Sequence, residues 1–168
     1  FGGSFAAARL VGLETRKASF SVEPFVWLGD SLLTWADVQR EQTLARGDLP
    51  LPSVRWSHPR VGLEVSVVPE GAAGKSSLIA RYRVRNPGAT RLRGTLYLAL
   101  RPFQVNPPRQ FLNTPGGAAP IRRIEYVSGD VIVNRERYVR VLQPPSAFGA
   151  VSSDGGDVVA DFLTAGRL

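Results

Sequence analysis

Three stretches in the middle of the chain alternate apolar and polar residues with a period of two. In residues 61–68, Val61, Leu63, Val65 and Val67 fall on one side, and Glu64 and Ser66 on the other. In residues 78–85, Leu78, Ala80, Tyr82 and Val84 oppose Arg81, Arg83 and Arg85. In residues 92–101, Leu92, Leu96, Leu98 and Leu100 oppose Arg93, Thr95, Tyr97 and Arg101. Successive side chains of a strand point to opposite faces, so this pattern predicts an antiparallel sheet with one buried side. Residues 70–75 form one predicted turn. Asn86, Pro87 and Gly88 form the other, with proline and glycine in the order a type II turn needs.

Residues 20–28 read as a further strand, with Pro24 marking an edge or a bulge. Gly29 and Asp30 give a tight turn, and residues 31–38 read as the returning strand. Thr34 and Asp37 also fit a helix N-cap, but Leu33, Trp35 and Val38 make no sustained helical stripe, which favours the strand. Residues 39–44 fit either state. Residues 47–52 read as an extended connector, because a residue before proline is pushed towards extended geometry. Beyond a proline-rich loop at 101–113, strands are predicted at 121–127, 131–134, 138–142, 148–151 and 158–162. Turns are predicted at 128–130 and 154–157. About ten or eleven short strands with frequent turns predict an all-β antiparallel sandwich, with residues 1–168 forming a single domain.

Composition adds to this picture in a few places. The 168 residues are enough for one domain with a real core, and 17 glycines with 13 prolines suit a turn-rich chain. There is no cysteine, which excludes a disulfide framework and a thiolate zinc site. No apolar run approaches the roughly 18 residues of a membrane span. The chain has no methionine and runs from Phe1 to Leu168, which leads to the expectation of a fragment of a longer multidomain protein. The net charge of +7 comes mostly from arginine. A basic chain invites nucleic acid, but these residues are spread out and form no dense block, so neither a nucleic-acid nor a membrane partner is expected.

Several patterns invite a chemical reading. Gly74, Lys75 and Ser76 resemble the end of a phosphate loop, but the glycine required five residues earlier is Pro69. His58 is the single histidine; no nucleophile-elbow motif accompanies it, and a multi-histidine metal site is excluded. The carboxylates Asp30, Asp37, Glu41, Glu64, Glu125, Asp130, Glu136, Asp154, Asp157 and Asp161 fall mostly in turns or on outward strand positions, where solvation explains them. Asp154 and Asp157 are too few ligands for calcium. Trp27, Trp35 and Trp56 could stack on sugars, but strand aromatics usually pack in cores, as expected of at least two here. The loop 101–113 carries the densest polar chemistry: Arg101, Gln104, Asn106, Arg109, Gln110 and Asn113 offer donors and acceptors. Phe103, Val105 and Phe111 can anchor it, and Pro102, Pro107 and Pro108 stiffen it, so it suits holding a ligand or a neighbouring domain as well as it suits merely covering a sheet edge. No catalytic residue, metal or cofactor is expected.

The segments Leu32-Leu-Thr-Trp-Ala-Asp-Val38, Leu49-Pro-Leu-Pro-Ser-Val-Arg-Trp56, Tyr82-Arg-Val-Arg-Asn-Pro87 and Leu98-Ala-Leu-Arg-Pro-Phe-Gln-Val-Asn-Pro-Pro108 carry a family resemblance. They resemble a β-sandwich segment of large bacterial proteins labelled as having a coagulation factor five/eight type, discoidin-like domain. They are also similar to carbohydrate enzymes in which a β-supersandwich precedes an (α/α)-barrel catalytic domain. The terminal cysteine pair of a discoidin domain is missing, so that label is taken to belong to the parent protein. The resemblance implies a non-catalytic accessory domain that packs on the catalytic domain of the same chain and lends the loop 101–113 to its sugar site. An independent carbohydrate-binding module is the second reading.

Overall fold

The computed structural model describes residues 13–14, 20–72, 75–103, 120–152 and 158–166. Eleven strands and one short helix lie among them: β1 (Leu13–Glu14), β2 (Ser21–Trp27), β3 (Leu32–Leu33), β4 (Gln39–Ala45), β5 (Leu49–His58), β6 (Val61–Ala72), β7 (Lys75–Arg85), β8 (Thr95–Arg101), β9 (Ile124–Val127), β10 (Asp130–Val133), β11 (Arg137–Arg140) and α1 (Val159–Thr164). Every pairing is antiparallel. The protein is all-β, as the alternation predicts. It divides into two compact units, Phe1–Ala119 and Pro120–Leu168.

The first unit holds two sheets. In the first sheet β2 is central: β8 runs along its whole length on one side, and β1 and β3 flank its two ends on the other. The second sheet is the meander β4-β5-β6-β7. Val26, Leu28 and Leu33 of the first sheet and its turn pack with Val54, Trp56, Val61 and Leu63 of the second. Tyr82, Val65, Leu92 and Leu96 close over this cluster. Val61, Leu63, Val65, Tyr82, Leu92 and Leu96 are residues that period two assigns to the inner faces, and a one-residue slip of register would turn them outward. The Tyr82 hydroxyl is buried there without a hydrogen-bond partner among the described residues, and burial pushes its pKa up to about 12.

Three details correct the sequence reading in this unit. Pro24 does not mark an edge strand, since β2 is the middle of its sheet. On the side away from β8, however, described pairing stops between β1, opposite Val22, and β3, opposite Val26. A residue without an N–H removes no ladder bond in such a gap. The predicted strand over 31–38 shrinks to Leu32–Leu33. Thr34 donates both its N–H (2.8 Å) and its hydroxyl (2.7 Å) to the Asp37 carboxylate, which closes a turn. Such local side-chain bonds compete with the ladder, and after the turn residues 39–45 form β4. The connector read over 47–52 is largely strand, because β5 already begins at Leu49.

Close backbone packing explains one glycine. A Cβ on Gly94 would lie 2.8 Å from the Trp27 carbonyl oxygen, so only glycine lets the chain enter β8 beside the end of β2.

The second unit is the meander β9-β10-β11 followed by α1. Ser128 and Gly129 both have positive φ, +52° and +92°, which is the two-residue turn that suits the twist of a hairpin. Asn134 turns the next corner. Its side-chain oxygen accepts from the N–H groups of Arg122 and Arg123, and its amide donates to the Pro120 carbonyl. Val131 and Val133 are buried on one face of the sheet. Two predicted strands are absent here. Phe148 lies in irregular chain and stacks on Tyr126 with 5.3 Å between ring centroids. Residues 158–162 enter α1, where the Phe162 and Ala165 N–H groups reach the Val158 and Asp161 carbonyls at 3.0 Å. A short apolar run fits helix or strand alike, and no partner strand captures this one among the described residues.

Candidate functional site

Of the six residues singled out in the loop, Arg101 is described; Gln104, Asn106, Arg109, Gln110 and Asn113 lie outside the described residues. Arg101 ends β8 and pairs in register with Ser21, while Glu23 pairs with Ala99. Glu23 and Arg101 are therefore diagonal neighbours on one face of the first sheet, close enough for long side chains to meet. They form a salt bridge in which the side chains of Arg101 and Glu23 are only 12% and 5% exposed. The guanidinium carbon also sits 4.6 Å from the Phe103 ring centroid and 5.9 Å from that of Phe25. Arg101 is thus held by a carboxylate and two aromatic faces, rather than facing outward as the alternation suggests.

Glu23 is the residue that the sequence reading passes over. Burial pushes its carboxyl above the ordinary glutamate value, and the charge and hydrogen bond of Arg101 pull it back only in part. A signal for it does exist. Ser21, Glu23, Phe25 and Trp27 share the face opposite Val22 and Val26, and a strand with apolar residues on both faces is one buried on both. An acid in such a strand needs a cationic partner, and the pairing register supplies Arg101. Chemically the pair is inward-looking: at least one guanidinium nitrogen is committed to Glu23, so Arg101 works as an anchor at the root of the loop.

The other candidates have local partners. Arg60 gathers the turn after β2: one guanidinium nitrogen reaches both Asp30 carboxylate oxygens (2.9 and 3.0 Å), and the other reaches the Leu28 carbonyl at 3.4 Å. Arg60 and the Ser31 hydroxyl hold the Asp30 carboxyl below its usual range. The Thr34 hydrogen bonds do the same for Asp37. His58 Nδ1 accepts the Arg60 N–H at 3.2 Å, so the histidine braces the β5–β6 turn. Arg55 bridges Glu41 and Glu64 at 3.5 Å on the outer face of the second sheet. Asp130 is clamped by Arg140 at 2.6 Å and Glu125 by Arg123 at 2.6 Å, and each carboxyl is lowered by its partner. Glu136 and Asp161 are exposed, and Asp154 and Asp157 lie outside the described residues. Among the described residues no cluster of acidic or histidine side chains could hold a metal ion. An open groove along β4 and β5, lined by Thr43, Leu44, Pro52 and Val54, gathers none of the candidate residues.

Comparison with protein-family models, with curated proteins and with solved structures finds no match for this chain. What the site does therefore follows from its own side chains.

Proposed function

We propose that the chain is a non-catalytic β-sandwich accessory domain of a carbohydrate-active multidomain protein, similar to the sandwich that precedes an (α/α)-barrel. In this reading it packs on a catalytic domain of the same chain, and the loop rooted at Arg101 reaches towards that domain's sugar site. The carrying observation is the disposition of the three tryptophans. Trp56 is 3% exposed inside the core and Trp27 is half-buried at the end of β2. Trp35 is 36% exposed, with the Arg40 guanidinium 5.0 Å from its ring centroid. A module that grips sugars through stacking needs exposed indole faces in a row, and these are spent largely on packing and a cation contact. The inward commitment of Arg101 to Glu23 supports the same reading.

The test is a calorimetric screen of the isolated chain against neutral and acidic glycans, alongside an Arg109→Ala/Gln110→Ala variant. Flat titrations throughout are expected for an accessory scaffold. Saturable binding that the variant loses would overturn this reading and make the chain an independent carbohydrate-binding module.

A further inference from the structure

We propose that the edge of β7 is a docking strand, which takes up an extended partner segment whose acidic residues alternate with apolar ones. Among the described residues β7 pairs only with β6, although it runs for 11 residues. A long edge presents a row of backbone donors and acceptors to any strand that can lie beside it. The side chains of β7 then specify which strand fits.

On the outer face, Arg81, Arg83 and Arg85 are all exposed. They recur every second residue, so neighbouring guanidinium stems are roughly 6.6–6.8 Å apart along the strand. Opposite them on β6 stand Ser66, Glu64 and Gly62. The one carboxylate of that trio, Glu64, is engaged by Arg55 at 3.5 Å. Among the described residues none of the three arginines has an ion-pair partner. On the inner face, Tyr82 and Val84 continue the core beyond Val65 and Leu63, their partners on β6. Val84 nevertheless remains 49% exposed at the rim of the sandwich.

A strand added to β7 has the same period of two. Its acidic residues would fall across from Arg81, Arg83 and Arg85, and its intervening residues would cover Val84 and extend the core. A flexible polyanion could neutralise the arginines, but it would leave both the apolar rim and the backbone edge unmatched. The combination of charge ladder, apolar rim and edge therefore selects a peptide. The inference goes beyond the accessory-domain reading by naming the surface through which such a domain holds a neighbour. It stands whether or not that neighbour acts on carbohydrate.

The test uses the whole chain and a synthetic peptide of about nine residues alternating valine and aspartate, about 30 Å long when extended. Fluorescence anisotropy should give saturable binding that weakens as salt rises. An Arg81→Glu/Arg83→Glu/Arg85→Glu variant should bind at least about tenfold more weakly, as reversed rim charges repel the acidic partner. Two peptides N-methylated at alternate positions, one set odd and one even, separate strand addition from plain attraction. One of the two should lose binding to the unaltered protein, because N-methylation removes the donors that face β7. Equal binding by both methylated peptides, or stronger binding by heparin than by the peptide, would overturn the proposal in favour of a polyanion surface. No binding of any peptide would also overturn it and leave the arginines as guards against edge-to-edge association. Peptide uptake together with saturable glycan binding would sink the accessory-domain reading and leave the docking edge in place.

Discussion

The outer faces of the two sheets in the first unit treat the same side chain in opposite ways. On the first sheet, Arg101 is drawn in against Glu23 and lies between Phe25 and Phe103. On the second, Arg81, Arg83 and Arg85 stand exposed in a row. Both sets occupy the polar positions of alternating strands. The difference lies in the strand beside each. β8 borders β2, which has buried residues on both faces, so its outward positions are outward only in the sense of the pleat. β7 is bordered by β6, whose outer residues are serine, glutamate and glycine. Alternation tells which residues share a face, and only the neighbouring strand tells whether that face meets water.

This contrast can be broken most forcefully at Arg101. Arg101→Leu leaves the Glu23 carboxylate buried without its cation, a loss worth about 3–5 kcal/mol of stability. Chemical denaturation measures it, and a loss below about 1 kcal/mol would mean that the outer face of the first sheet is wetter than its burial implies. The neighbouring contact at Gly94 comes next. Gly94→Ala forces a methyl against the Trp27 carbonyl and should cost about 1–3 kcal/mol by the same measurement.

The pH dependence sharpens the comparison by sign. The folded pKa of Glu23 is raised above its ordinary value of 4.5, so the folded state holds that proton more tightly than the unfolded chain does. Its contribution to stability is complete below 4.5 and is lost as pH rises through the raised folded value. Asp37 works the other way. Its folded pKa is lowered from 3.8, so its contribution is present above 3.8 and lost as pH falls through the lowered value. Stability measured from acid to neutral pH should therefore fall less steeply above 4.5 in Glu23→Gln than in the unaltered chain. A steeper fall in the variant would contradict the raised value.

The smallest effects belong to the second sheet. Tyr82→Phe removes a buried hydroxyl that has no partner among the described residues, so stability should stay level or rise by up to about 1 kcal/mol. Single Arg81→Ser, Arg83→Ser and Arg85→Ser changes should each stay within about 0.5 kcal/mol. A larger loss in any of them would show that the ladder has a structural partner.

Much of the fold was legible in the residues and much of the candidate site was not. Val61, Leu63 and Val67 on one face of β6, and the Ser128–Gly129 turn, follow from patterns that are local and strong. Residues 31–38 and 158–162 depart from the strands their pattern predicts because each is short and local bonds decide it: Thr34 to Asp37 in one, a turn of helix in the other. The Glu23–Arg101 pair joins residues 78 positions apart, and no local pattern announces such a contact. Only the buried character of both faces of β2 hinted that an acid there needed a partner.

The account's central claim is that Arg101 is a structural anchor held by Glu23. A double-mutant cycle on Glu23→Leu and Arg101→Leu, followed by denaturant unfolding, tests it most directly. The account predicts that each single change is severe, that the double change costs clearly less than the sum of the two, and that the coupling energy is about 2–3 kcal/mol. Additive losses with a coupling below about 0.5 kcal/mol would contradict it and return Arg101 to the set of residues free to bind a ligand.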